Sequence, residues 1–317
     1  MQAAGIDLGG TKIKAALVDR ERGILEQFSV PTEAEKGKDH ILKRLAEAIE
    51  KIKGLTDKKL QGVGIGSPGV ISLDRTTVTY PPNLPGWTKV NVAQEIKERT
   101  DLTAYVENDA NLAALGSSRF GQGRAYDSFI MLTLGTGVGG GIIFRKELFR
   151  GSTGGAAELG HVIIDYNGLS SNSRTKGGIE AYLGQRFLSR IAAEAIRKEP
   201  ENALYKRFHE RYEQLDPFEI NIEADKGNEL AIRILRDAGQ KLGYAIVNYV
   251  HILDIRTVIL SGGVAKAGKW LIEPARSSAI ERMMPSYHEG FDIIYENLGN
   301  DAALLGASSL AFENLRG

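Results

Sequence analysis

The sequence predicts an α/β fold in two domains, and three observations carry that expectation. Short apolar or alternating runs, bounded by glycine and charge, alternate with longer segments of helical periodicity. The chain has 317 residues and 42% hydrophobic content, enough for a sizeable core and a length that suggests two domains. A strand, a Gly/Thr turn and a second strand open each half, as IDLGGTKIKAAL and again as LTLGTGVGGGII. This is a loose duplication, with no short-period repeat and no low-complexity tract.

In chain order, GIDLGG, IKAALVD and ILEQFSV read as strands. DHILKRLAEAIEKIKG reads as a helix, because Ile41, Leu42, Leu45, Ile49 and Ile52 share a face, with Asp39 as N-cap and Gly54 as stop. LQGVGIGSPGV is a buried strand entering a turn, and TTVTYPPNLPGW is an extended loop punctuated by proline. AYVENDANLAALGSSRFG is a strand end feeding directly into a helix. FIMLTL and GIIF flank the glycines of GTGVGGG, and Arg145-Lys146-Glu147 follows as a solvated turn. IEAYLGQRFLSRIAAEAIRK and NELAIRILRDAGQKLGYAIVNYVHIL read as helices. The charged run YKRFHERYEQ between them reads as a solvated helix face rather than a binding patch. RTVILSGGVAKAG returns to strand, glycine turn and helix, and DAALLGASSLAFENL closes the chain as a helix.

Composition narrows the function. Net charge is zero, so nothing favours nucleic acid or an acidic membrane surface as partner. Cysteine is absent, which removes disulfides, thiolate metal sites and cysteine nucleophiles. No signal peptide is evident, and no run approaches the roughly 18 apolar residues of a membrane span. The expectation is a cytoplasmic protein.

Three glycine turns are candidates for binding phosphate. GTGVGG matches G-x-G-x-x-G, but a strand follows it where the dinucleotide fingerprint needs a helix, so a nicotinamide site is rejected. A turn between strands can still present successive backbone N–H groups to an anion. Gly135, Thr136 and Gly137 form one such turn. Gly9, Gly10, Thr11 and Lys12 form another, beside Asp7. A carboxylate next to a phosphate loop makes sense with Mg²⁺ between them, directly or through water. Gly262 and Gly263 follow a third strand, where an adenosine ring would lie close to the backbone. Read alone, each turn is also an ordinary hairpin.

ENDAN, Glu107 to Asn111, sits where a strand ends and a helix begins. Asn108 or Asp109 serves there as an N-cap, or Asp109 is a general base taking a proton from an acceptor hydroxyl while Asn108 binds neighbouring hydroxyls.

DLGGTK, GSPGV, PPNLPGW, ENDAN, LGTGVGGG, AAELGH, the G-x-x-E ending at Glu180 and LSGGV occur in that order along nearly the whole chain. Together they resemble the ROK (repressor, open reading frame, kinase) family of sugar kinases, within the actin-like ATPase superfamily. The resemblance implies a two-lobed actin-like ATPase (ribonuclease H-like) fold with a cleft between lobes. Residues 1–118 would form the first lobe, with a helix at 301–317 packing back on it, and residues 119–300 the larger second. It implies Asp109 as the base. Gly69, Asn83, Asn108, Asp109, Glu158, His161 and Glu180 become the implied sugar contacts. Asp7, Gly9, Gly10, Thr11, Lys12, Gly135, Thr136, Gly137, Gly262 and Gly263 become the implied contacts of ATP and its Mg²⁺. A homodimer is implied at the family level.

One stretch departs from the family's pattern. Relatives place zinc on the histidine of G-H and three cysteines, but those three positions here are Ser171, Ser173 and Gly178, and the intervening glycine is Arg174. Hydroxyls and a glycine do not replace thiolates, so no structural zinc is expected. Glu158, His161 and Glu180 survive on the flanks, so the stretch from 160 to 180 reads as half of a substrate site held by other means. The function that follows is an ATP-dependent hexose kinase, foremost a glucokinase acting on the sugar's 6-hydroxyl. Fructose, mannose, allose and N-acetylmannosamine stay open as acceptors. A catalytically silent sugar sensor and a repressor are the readings from other classes.

Overall fold

The computed structural model describes residues 1–171 and 175–313. The chain splits into two compact units. The first holds Met1–Asp127, Gly141–Ala157 and the chain from Leu298; the second holds Ser128–Gly140 and Glu158–Asn297.

In the first unit, β1 (Gln2–Leu8), β2 (Lys12–Asp19) and β3 (Gly23–Pro31) form an antiparallel meander with Asp7 opposite Lys14. In α1 (Lys38–Lys53) the five apolar residues that predict the helix are all fully buried, each stabilising by about 1.5–3 kcal/mol. Asp39 is not the N-cap. The helix starts after Gly37, and Asp39 lies in its first turn, where its charge still suits the helix dipole. Gly54 ends it as expected.

β4 (Leu60–Ser67) runs parallel to β1. The start of the expected proline loop is a strand, β6 (Thr77–Thr79), the middle of a small antiparallel sheet with β5 (Val70–Ile71) before the loop and β7 (Lys89–Asn91) after it. Asn91 caps α2 (Val92–Thr100). β8 (Ala104–Asn108) pairs in parallel with β4 and runs straight into α3 (Asp109–Phe120). The main sheet has the order β3-β2-β1-β4-β8.

The second half repeats this wiring. β9 (Phe129–Leu134), β10 (Val138–Phe144) and β11 (Glu147–Leu148) come first. The last residues of β10, and β11, count with the first unit. The helix expected from residue 179 breaks at Gly184 into α4 (Glu180–Leu183) and α5 (Gln185–Ile196). α6 (Ala203–Phe208) buries Leu204 and Phe208, so the charged run is more than a solvated face. α7 (Pro217–Asp225) and the 25-residue α8 (Glu229–Leu253) follow, the latter capped by Asn228. β12 (Thr257–Ser261), α9 (Lys269–Arg282) and β13 (Asp292–Tyr295) complete the set. The order is β11-β10-β9-β12-β13, with β12 parallel to both neighbours.

The last helix, α10 (Asp301–Glu313), packs in the first unit and is buried from Leu304 to Phe312. Glycine permits that approach. A Cβ on Gly64 would lie 1.7 Å from the Ala307 carbonyl oxygen, and one on Gly306 1.8 Å from that of Leu112. Among the described residues no helix is long and apolar enough to cross a membrane.

Candidate active site

In open sheets with parallel strands, ligands bind beyond the carboxyl ends of those strands. The candidate residues of the first unit sit there. β1, β4 and β8 are adjacent and parallel, and register aligns Asp7 with Gly66 and Ser67 with Asn108. The turn after β1 is tied down from two sides. Gly9 N–H donates to Lys12 O at 3.0 Å, and Thr32 donates through its hydroxyl to Gly9 O at 2.6 Å and through its N–H to Thr11 O at 2.9 Å. Thr11 and Lys12 are exposed. A Cβ on Gly10 would meet that of Asn83 at 2.8 Å, so this glycine makes room for the Asn83 loop. Asn83 is exposed and left-handed at φ 64°, a strained backbone of the kind that gathers at functional sites, and Gly69 takes φ 95°, which glycine adopts without strain. Asp7 Oδ2 accepts from Lys14 Nζ at 3.0 Å.

At the β8–α3 junction the two acidic-or-amide roles separate. Asn108 is the N-cap: its Oδ1 accepts from Ala110 N–H at 3.0 Å and Asn111 N–H at 3.2 Å. Its Nδ2 remains a donor for a ligand. Asp109 opens the helix exposed, with Oδ1 accepting from Ala110 N–H at 2.9 Å. The cap therefore falls to Asn108, and Asp109 stands next to it as the first residue of the helix. Glu107, just before them, is fully buried beside Arg75 and Arg150. Burial pulls the Arg75 guanidinium below its usual range, and Glu107 opposes that shift.

In the second unit, the turn after β9 closes with Gly135 N–H on Gly137 O at 3.0 Å. Space above Gly135 and Gly263 is open, whereas Gly262, at φ 95°, presses on Leu134 O, which a Cβ would meet at 2.4 Å. Gly184 explains the broken helix. It packs on Thr136 O, and Gln185 N–H donates to Gly135 O at 2.9 Å. The N-terminus of α5 thus starts at the phosphate-type turn, where a helix favours anions. Beside it lies a cavity of about 530 Å³ lined by Thr136, Arg186, Arg190, Arg197 and Tyr212 among others. These arginines and Tyr212 were missed in the sequence. The signal available was Arg186, Arg190 and Arg197 at spacings of four and seven residues, the first two one turn apart on α5 and the third at its C-cap, in a segment read only as helical.

Glu158 and His161 flank one short 3₁₀ turn, with His161 Nε2 3.6 Å from Glu158 Oε2. Ala157 before them is left-handed at φ 69°. The turn is fixed below by Tyr249, whose buried hydroxyl donates to Leu159 O at 2.6 Å. Gly160 lies on β10, since a Cβ there would be 2.0 Å from Val138 O. Glu180 is not detached from the phosphate-type turn. Its Oε2 accepts from Val138 N–H at 3.2 Å and covers Gly137.

In its described part the loop between these residues is fastened by backbone bridges and hydrogen bonds. Ile163 bridges Gly178 and Ser170 bridges Lys176. Ser171 N–H donates to Thr175 O at 2.9 Å, and Leu169 N–H to the Tyr182 hydroxyl at 3.2 Å. That hydroxyl donates to Asp165 Oδ2 at 3.4 Å, and burial raises its pKa. Ser173 and Arg174 lie outside the described residues. Among the described residues no group of three or more His, Asp or Glu converges as a metal site.

Comparison with known proteins fits this arrangement. The profile of the ROK family matches residues 3–314. A glucokinase of Thermotoga maritima is 34% identical over 317 residues, covering all of this chain and 99% of its own. The crystal structure of a ROK family glucokinase from Streptomyces griseus, in complex with glucose and AMPPNP, superposes with a TM-score of 0.85 at 32% identity, covering 99% of this chain and 100% of that one. A xylose repressor of Caldicellulosiruptor bescii is 27% identical, over 98% of this chain and 78% of its own.

Proposed function

The chain belongs to the ROK family, and on that premise we propose that it is an ATP-dependent hexose kinase, a glucokinase that transfers the γ-phosphoryl group of ATP to the 6-hydroxyl of glucose. The observation that carries this reading is the β8–α3 junction. It offers an exposed carboxylate, Asp109, beside an amide whose oxygen is spent on the helix cap and whose Nδ2 is left for a ligand.

Phosphoryl transfer asks little covalent chemistry of a protein; it asks for positioning and charge stabilisation. Asp109 accepts the proton of the acceptor hydroxyl as that oxygen attacks phosphorus. Asn108, Glu158, His161 and Glu180, with the backbone at Gly69 and Asn83, hold the remaining sugar hydroxyls. The backbone N–H groups of Gly10, Thr11, Thr136 and Gly137, with the Lys12 ammonium and the Thr11 and Thr136 hydroxyls, receive phosphate oxygens, while the Gly9 and Gly135 N–H groups close their own turns. Gly262 and Gly263 admit the adenosine, and Arg186 and Arg190 add positive charge along the nucleotide. Water must be kept from the phosphoryl group during transfer.

The residues fit Mg²⁺. Asp7 supplies a hard oxygen at the end of β1, engaged only through Oδ2 among the described residues. An ion carried mainly by phosphates needs one such carboxylate, directly or through water. When bound, it would offset negative charge on the phosphates. The enzyme is cytoplasmic, homodimeric and free of structural zinc in the same reading.

A coupled assay of ADP release tests the proposal across glucose, fructose, mannose, allose and N-acetylmannosamine. Glucose is expected to give the highest kcat/KM, and metal analysis of the same sample to show no stoichiometric zinc. Absence of ADP release with every sugar would remove the kinase reading; preference for another hexose would move only the acceptor.

A further inference from the structure

The chemistry above makes no use of Glu107, yet its surroundings are too elaborate for a packing residue. It is the penultimate residue of β8 and is fully buried. A buried charge is costly unless it is paired and hydrogen-bonded. The two oxygens divide that task. Oε1 accepts from Asn108 N–H at 3.0 Å and from Asn111 Nδ2 at 3.1 Å, residues on either side of Asp109. Oε2 faces Arg150 Nε at 2.6 Å and Arg75 Nε at 3.5 Å. The Arg150 N–H is not aligned with that oxygen, so the contact is ionic rather than a directed hydrogen bond.

Both arginines tie other segments of the same unit to this point. Arg150 donates from Nη1 to Leu73 O at 2.7 Å and from Nη2 to Ser72 O at 2.9 Å, in the turn between β5 and β6. Arg75 sits in that turn at φ 58°, and its carbonyl accepts from Val106 N–H at 2.8 Å. The chain leads from this small sheet to Gly69 on one side and Asn83 on the other, and from Arg150 onward to Glu158.

We infer that Glu107 is a positioning residue: held by Arg75 and Arg150, its carboxylate fixes the turn that presents Asn108 and Asp109 to the acceptor sugar. This rests on the kinase reading. An apolar trio could fill the same space without desolvating three charges. It could not accept from Asn108 N–H and Asn111 Nδ2 while drawing two arginine-bearing segments to one oxygen.

The test compares wild type, Glu107→Gln and the triple replacement Glu107→Leu, Arg75→Met, Arg150→Met. Steady-state kinetics, thermal melting and amide exchange are measured on each. Glu107→Gln keeps an oxygen for Asn108 and Asn111 but loses the charge that holds it. The expected result is a fall in kcat of about 100-fold, as for a displaced reacting group. KM for glucose should rise, KM for ATP should stay unchanged, and the Ala110 and Asn111 amides should exchange about tenfold faster. The triple variant is expected to melt near wild type and still show the kcat loss. Wild-type kcat in either variant, or unchanged exchange at Ala110 and Asn111, would overturn the inference. If wild type phosphorylates no hexose, the kinase reading fails, but the exchange rates still decide whether Glu107 fixes the turn.

Discussion

At Gly137 a single methyl group would lie 2.4 Å from Glu180 Oε2. That oxygen accepts from Val138 N–H, so one carboxylate joins the phosphate-type turn to a residue assigned to the sugar. The sequence marks Glu180 only through its family motif; its bond to a backbone amide 42 positions earlier has no local signal. Gly137→Ala should push out the end of a flexible side chain, not backbone, so the fold should survive and the stability lost should be that of the Val138–Glu180 hydrogen bond. Losing a hydrogen bond to a charged acceptor costs about 1.5–3 kcal/mol. KM for glucose and KM for ATP should therefore both rise, by about tenfold or more. Kinetics with each substrate varied, alongside a thermal melt, checks this; unchanged KM values would separate Glu180 from both ligands.

Among the elements, long periodic segments were legible and short ones were not. α1 and α8 announce themselves by their buried faces, and β8 running into α3 is plain in AYVENDANLAALG. β5, β6 and β7 have only two or three residues each, too few for a period to show. The break at Gly184 was hidden because one glycine inside a helical pattern costs only about 1 kcal/mol. Contact with Thr136 O decides it, and that contact is tertiary. Glu107 belongs to the ENDAN motif, but its burial between Arg75 and Arg150 is tertiary and has no local signal, because both arginines are distant in the chain. The loop between His161 and Glu180 has its own fastening in Tyr182. Tyr182→Phe leaves Leu169 N–H and Asp165 without their shared partner, a cost of about 1 kcal/mol. Faster amide exchange at Leu169 and Gly177 is expected, with KM for glucose raised and KM for ATP unchanged. Exchange and kinetics indistinguishable from wild type would show that the backbone bridges alone hold the loop.

Across the whole molecule the governing feature is the repeated wiring of the two sheets, β3-β2-β1-β4-β8 and β11-β10-β9-β12-β13. The sequence shows this duplication in its two strand–turn–strand openings, because glycine and threonine recur where each first strand ends. Parallel strands bring Asp7, Asn108 and Asp109 to one sheet edge in the first unit, and Gly135–Gly137 with Gly262 and Gly263 to the corresponding edge in the second. A reaction supported from such edges needs one proton acceptor, and Asp109 is the residue assigned to it. The most direct measurement is therefore ADP release at saturating glucose by wild type and Asp109→Asn, with glucose binding followed by calorimetry. The account predicts that the variant binds glucose with near wild-type affinity while turnover falls by about 10²–10⁴-fold. Turnover at the wild-type rate in Asp109→Asn would contradict it.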